Sequence, residues 1–111
     1  MTRRTEASAP IKILIVDDHP MFRAGLANML AAEGDLRVVS AVATSEAALV
    51  AWQEHRPDVV LLDLNMPGTG GFETLRRLKA LAADAKVLVL TSSDSSEDAG
   101  HAARAGARGF I

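Results

Sequence analysis

Cysteine is absent from this chain of 111 residues, which excludes disulfide bonds, thiolate catalysis and cysteine-based metal sites. An excess of positive charge is also absent, because 12 basic residues against 14 acidic ones give a formal net charge of −2. Nothing global therefore favours nucleic acid or an anionic membrane as a partner. The longest apolar run is far too short to span a bilayer, and the first ten residues lack the apolar segment of a secretory signal. We therefore expect a cytoplasmic protein with no membrane partner.

The length fits one domain, and a hydrophobic fraction of 49% with 23% charged residues is ordinary for a soluble globular protein. We expect residues 1–10 to form a short flexible leader and residues 11–111 to form the domain. Strand and helix patterns alternate along the domain. The predicted strands cover residues 12–16, 36–42, 59–62 and 86–90, with a fifth that begins at residue 109. Strands one, three and four are apolar without alternation, which is typical of strands covered by helices on both faces. The pattern predicts a doubly wound parallel α/β sheet.

Four helices are predicted between these strands. Helix one begins near Pro20 with an apolar face of Phe22, Leu26, Met29 and Leu30. Helix two follows a Thr44-Ser45-Glu46 cap, helix three spans about 72–82, and helix four follows residue 95. Right-handed crossovers place the first and last helices on the same face of the sheet, and the chain stops within strand five before a last helix. We therefore expect that the natural protein continues past Ile111, or that another chain covers part of that face.

Polar side chains stand where the predicted strands end. Asp17 and Asp18 follow strand one, Asp63 follows strand three and Thr91 follows strand four. In open α/β sheets, ligands bind at these carboxyl ends. Three carboxylates within about 5 Å repel each other by roughly 3 kcal/mol per pair at an effective dielectric near 20, so such a pocket binds a cation or takes up protons. Because the expected ligands are oxygens alone, the pattern favours Mg²⁺, with Mn²⁺ as a possible substitute.

Each acid also has a simpler explanation. Asp17 and Asp18 are suited to capping helix one, and Asp63 is suited to a turn. Capping does not explain why acids end both apolar strands, so the joint pattern favours the cation site. His19, His55 and His101 show no ligand spacing, and we interpret them as surface residues or local hydrogen-bonding residues.

Several short segments together resemble the receiver domain of two-component response regulators. They are Val16-Asp17-Asp18-His19-Pro20, Leu62-Asp63-Leu64-Asn65-Met66-Pro67-Gly68, Val89-Leu90-Thr91 and Ala105-Gly106-Ala107-Arg108-Gly109-Phe110. The Asp-Asp-His-Pro start looks like the NarL/FixJ subfamily, which carries a LuxR-type helix-turn-helix. The resemblance covers residues 11–111 and implies a flavodoxin-like sheet with strand order 2-1-3-4-5.

The resemblance also implies a role for each matching residue. Asp63 is the expected phosphoacceptor for a phosphoryl group from a sensor histidine kinase. Asp17, Asp18 and Asp63 would hold Mg²⁺ together with the backbone carbonyl of Asn65. Thr91 would donate a hydrogen bond to the phosphoryl group.

Phe110 stands at the position of the family's switch aromatic. Helix four has alanines and Gly100 but no large apolar residue in its interior, so we expect low local stability and a movable output face formed by helix four and strand five. The implied consequences are homodimer formation on phosphorylation and DNA binding through a C-terminal domain that these residues do not include. The family's lysine would fall two positions beyond Ile111.

Three other functions are weighed against this one. A stand-alone receiver that acts through protein–protein contacts fits the same motifs. An aspartyl-phosphate phosphatase needs a second aspartate two residues after the nucleophile, where this chain has Asn65. A dinucleotide-binding module needs a Gly-x-Gly-x-x-Gly segment after strand one, which this chain lacks. We therefore expect a signalling module that is not an enzyme, apart from phosphorylation and dephosphorylation of its own Asp63.

Overall fold

The computed structural model describes residues 9–64, 66 and 70–90, and the backbone of residues 109 and 110. Strands and helices alternate along the chain. The elements are β1 (Ile11–Val16), α1 (Pro20–Ala31), β2 (Leu36–Val42), α2 (Ser45–His55), β3 (Val59–Asp63), α3 (Gly70–Leu81), β4 (Val87–Leu90) and β5 (Gly109–Phe110). Among the described residues, no helix combines the length and the apolar character that crossing a membrane requires.

The five strands form one parallel sheet in the order β2-β1-β3-β4-β5. This confirms the predicted fold class and strand order. The predicted strand bounds differ from the observed ones by one residue or none, and helix three begins at Gly70, two residues before its predicted start. The predicted helix four lies outside the described residues, as does the leader up to residue 8.

One face of the sheet is covered by α2 and α3. The core on this face contains side chains from β1, β3 and β4 together with Ala48, Trp52, Leu75 and Leu78 of the two helices. Leu75 and Leu78 are fully buried, because they lie three residues apart on the side of α3 that faces the sheet. The sequence pattern predicts an apolar face of Ala48, Leu49 and Trp52 for α2 and of Phe72, Leu75, Leu78 and Ala82 for α3. This is confirmed, because all of these side chains belong to this core or pack against it.

The opposite face carries α1 and a smaller core around Ile13, Ile15 and Leu61. Here the predicted helix face is partly wrong, since Phe22 is 52% exposed and Met29 is 62% exposed. The residues that pack on the sheet are Leu26, Ala27 and Leu30. At 3.6 residues per turn, Phe22 and Met29 lie about 90–110° around the helix from the centre of that group. How the rest of this face is covered stays a prediction.

The helix starts follow the capping rules unequally. Thr44 caps α2 as predicted, because its hydroxyl oxygen accepts the Ala47 backbone N–H at 3.1 Å. Pro20 is the first residue of α1, but the preceding His19 makes no side-chain capping bond. The His19 ring is therefore available for other contacts.

Strand β2 contains one extra residue relative to β1. Ile13 pairs with Val38 and Leu14 pairs with Ser40, so Val39 is bulged out of the ladder. Before the bulge, Leu36 and Val38 pack with the core on the α1 face, whereas Val42 after it packs with the core on the α2/α3 face. The bulge reverses the direction of the side chains that follow it.

Candidate functional site

The acidic residues meet because two neighbouring strands end side by side. β1 pairs with β3 in parallel, and the last matched pair is Val16 with Leu62. Asp17 follows Val16 and Asp63 follows Leu62, so both acids reach the carboxyl edge of the sheet together. One ligand atom from each of Asp17, Asp18, His19 and Asp63 lies within 4.8 Å of the others. These four residues are called the acid cluster below.

Burial makes the acid cluster a demanding place for negative charge. Asp17 is fully buried and Asp63 is 6% exposed, while the Asp18 side chain is 25% exposed. Among the described atoms, Oδ2 of Asp17 and Oδ1 of Asp18 are buried without a hydrogen-bond partner. A buried carboxylate oxygen without a partner is costly unless a cation satisfies it. The donor set and its unsatisfied oxygens therefore fit a hard divalent cation.

The loop after β1 is fixed by hydrogen bonds to Asp17. The backbone N–H of Asp17 donates to Val42 O at 2.9 Å, and the Asp17 carbonyl accepts from Nη1 of Arg23 at 2.8 Å. Its carboxylate Oδ1 accepts the His19 backbone N–H at 2.7 Å. This last bond closes a local turn of the type that aspartate favours before a helix. The turn holds the His19 side chain next to the carboxylates.

The His19 imidazole belongs to the site. Its Nδ1 atom lies 3.0 Å from Asp17 Oδ1, 3.2 Å from Asp18 Oδ1 and 3.4 Å from Asp63 Oδ2. The hydrogen bond with Asp17, followed by the charge of Asp18, raises the pKa of the His19 imidazole. The charges of Asp17 and Asp63 act in the same direction, whereas desolvation opposes them.

The sequence interpretation of His19 was therefore incomplete. The ring is 59% exposed and makes a local hydrogen bond, as expected, but it also enters the acid cluster. The sequence predicted a site of oxygen ligands alone, but the structure also places an imidazole nitrogen among the carboxylate oxygens. One signal for this contact was present in the sequence: His19 directly follows two acids and directly precedes Pro20, where a helix begins.

Close backbone packing supports the position of Asp63. A Cβ atom added at Gly71, near the start of α3, would lie 2.6 Å from Leu64 Cα and 2.8 Å from Asp63 O. Only glycine permits α3 to approach the end of β3 this closely. The backbone at Asp63 and Leu64 is therefore held between the sheet and α3.

The remaining predicted site residues are not placed. Asn65 and Thr91 lie outside the described residues, so their roles stay predictions. For Phe110 only the backbone is described, in β5 beside β4, and the predicted switching role of its side chain is likewise untested.

Comparisons with known proteins agree with this geometry. The profile of the response regulator receiver domain matches residues 13–111. The nitrate/nitrite response regulator protein NarL of Escherichia coli K12 is 36% identical over 102 residues, which are 92% of this chain and 47% of that protein. The response regulator GacA of Pseudomonas aeruginosa PAO1 is 41% identical over 101 residues, which are 91% of this chain and 47% of that protein.

A solved structure shows the same fold. The LuxR-family two-component response regulator from Aurantimonas sp. SI85-9A1 matches with a TM-score of 0.86 and 33% identity, covering 92% of this chain and 73% of that one. The chain spans about half the length of the curated relatives it matches. Sequence, fold and acid cluster lead to one conclusion: the chain belongs to the response regulator receiver domain family.

Proposed function

We propose that this chain is a phosphorylation-dependent signalling module in which Asp63 accepts a phosphoryl group from a sensor histidine kinase. Receiver domains of this family interact with such kinases and bind Mg²⁺ in an acidic pocket. The observation that carries the proposal is the convergence of Asp17, Asp18 and Asp63 at the carboxyl edge of β1 and β3. Under the proposal, the chain catalyses only the gain and loss of its own phosphoryl group.

Asp63 is the acid best placed to be the nucleophile. It ends the inner strand β3, between β1 and β4, and its backbone is held by the approach of Gly71. One carboxylate oxygen would attack phosphorus in line, forming an O–P bond as the P–N bond of the phosphohistidine breaks. The departing imidazole takes up a proton. Precise placement of the attacking oxygen supplies part of the rate, because phosphoryl transfer depends on positioning and electrostatics.

Asp17 and Asp18 would hold Mg²⁺ beside Asp63. When bound, this ion neutralises charge that builds up as one anion approaches another. Asp17 is suited to the task because its backbone N–H and carbonyl are both bonded, so the carboxylate starts from a fixed position. Asn65 and Thr91 are the proposed sources of a further metal-binding carbonyl and a phosphoryl hydrogen bond.

The proposed output is transcriptional control. Two relatives above 35% identity are response regulators, and this chain matches about half the length of each. We propose that phosphorylation changes the face formed by helix four and strand five and promotes a homodimer. DNA would then be bound by a C-terminal domain outside these residues, in the cytoplasm. A stand-alone receiver that acts through protein contacts is the second candidate, since it uses the same phosphorylation site.

Mass measurement after incubation with acetyl phosphate and Mg²⁺ tests the phosphoacceptor. The unchanged chain should gain one phosphate, and Asp63→Asn should gain none. Asp58→Asn is a matched control, because Asp58 precedes the same strand that Asp63 ends. Labelling of Asp63→Asn equal to that of the unchanged chain would remove Asp63 from this role.

A further inference from the structure

We propose that His19 is a fourth metal-binding side chain of the acid cluster, and that it makes the site favour nitrogen-binding divalent cations such as Co²⁺ more than its oxygens alone would. The inference rests on the proposed metal site and concerns which ion that site prefers. It begins from the observation that Nδ1 of His19 approaches a carboxylate oxygen of each of the three acids, at 3.0, 3.2 and 3.4 Å.

A nitrogen at these distances from the three oxygens can share one small cation with them. Octahedral ligands at about 2.1 Å from a cation are about 3 Å from each neighbouring ligand. The separations between Nδ1 and the three oxygens lie close to this value. The structure therefore places an imidazole nitrogen as a neighbour of all three carboxylates, which is one feature of a shared coordination sphere.

The position of the ring is set by the backbone around it. His19 precedes the first residue of α1, yet its side chain does not cap that helix. Its own N–H donates to Asp17 Oδ1, and the ring Nδ1 lies 3.0 Å from the same oxygen. Oδ2 of Asp17, on the carboxylate whose Oδ1 contacts the ring, is buried without a hydrogen-bond partner among the described atoms, and this second observation indicates a cation at the acid cluster.

The chemical class of the ligand set determines the preferred ion. Mg²⁺ favours oxygen ligands and keeps several waters, so an imidazole adds little to its binding. Imidazole suits the later divalent metals of the first transition row, whose affinities for nitrogen and oxygen sites exceed that of Mn²⁺. Loss of the His19 ring should therefore weaken the binding of Co²⁺ much more than the binding of Mg²⁺.

Calorimetric titration of the unchanged chain and of His19→Ala with Mg²⁺ and with Co²⁺, in one buffer at fixed pH, tests the inference. His19→Ala should weaken Co²⁺ binding by about tenfold or more, since even indirect partners of metal ligands change affinity by about 10–100-fold. Mg²⁺ affinity should fall much less or rise. His19→Gln, which keeps a polar side chain without the ring, should behave like His19→Ala. His55→Ala, at the other end of the sheet, should leave both affinities unchanged.

Two readouts make failure informative. The ¹⁵N resonance of His19 Nδ1 should shift on binding a diamagnetic ion such as Zn²⁺, and an unshifted resonance would overturn the inference. An unchanged ratio of Co²⁺ to Mg²⁺ affinity in His19→Ala would also overturn it. If both affinities rise together, His19 acts only as a counter-ion. Failure of the unchanged chain to bind Mg²⁺ would instead contradict the proposed function.

Discussion

The two ends of strand β3 carry the same residue type in opposite settings. Asp58 precedes the strand, and its Oδ2 accepts the Lys12 backbone N–H at 2.8 Å, while its own N–H donates to Lys12 O. Asp63 ends the strand within the acid cluster, where two buried carboxylate oxygens accept no hydrogen bond from the described residues. The comparison teaches that aspartate is a satisfied structural group at the amino end of the sheet. At the carboxyl end it belongs to a group of neighbouring carboxylates whose mutual repulsion a bound cation would relieve.

The space around the two ends differs as well. The amino ends of β3 and β4 border an open groove of about 550 Å³ lined by residues such as Trp52, Asp58 and Lys86. At the carboxyl end, the start of α3 contacts the backbone of Asp63 and Leu64 so closely that a methyl group would not fit at Gly71. Close packing is therefore found at the proposed phosphoacceptor, Asp63.

The largest effect on stability should come from filling that tight contact. Gly71→Ala should lower the free energy of unfolding by about 1–3 kcal/mol, because the new methyl group meets backbone atoms rather than a flexible side chain. Urea unfolding measures the change. Gly25→Ala is a matched control in α1, because no side chain and no other element of the described chain lies within 4 Å of a Cβ atom added there. It should stabilise the chain by about 0.5–1 kcal/mol. Equal effects of both substitutions would contradict the close approach at Gly71.

A somewhat smaller effect, of opposite sign, should follow from removing one charge of the acid cluster. In metal-free solution, Asp17→Asn should raise the free energy of unfolding by about 1–2 kcal/mol. This is less than the roughly 3 kcal/mol for a bare pair of carboxylates, because His19 already offsets part of the repulsion. Urea unfolding with EDTA and then with Mg²⁺ measures both effects. Asp17→Asn should also lose the Mg²⁺-dependent stabilisation that binding to the folded state confers. A loss of metal-free stability would show that repulsion does not dominate the cluster.

The smallest effect should appear at the amino end. Asp58→Ala should lower stability by about 0.5–1.5 kcal/mol, because the Lys12 N–H loses its carboxylate acceptor. The same substitution should leave the stabilisation by Mg²⁺ unchanged. A changed response to Mg²⁺ would mean that the two ends of β3 are coupled, and the contrast between them would need revision.

Much of the fold follows from the sequence. Unbroken apolar runs identify buried parallel strands, and such strands bring their following residues to one edge, which is why Asp17 and Asp63 could be paired in advance. The face of α1 could not be read as well. Leu26 and Leu30 of the predicted face pack against the core together with Ala27, but Phe22 and Met29, which fit the same apolar pattern, are mostly exposed.

The acid cluster was predicted without its nitrogen. Local spacing gives no reason to join His19 to Asp63, which is distant in the chain. Their proximity depends on the parallel pairing of β1 with β3 and on the turn closed by Asp17 Oδ1. The direction of the His19 ring also depends on whether its side chain caps α1. The sequence does not determine whether it does.

The bulge at Val39 has a consequence for solubility. β2 lies at one edge of the sheet, where regular strands can recruit strands of other molecules into fibrils. A bulge bends and twists such an edge, so a second copy cannot extend the ladder in a continuous register. We therefore expect the bulge at Val39, which also turns Val42 toward the larger core, to lower the tendency of this protein to aggregate through β2.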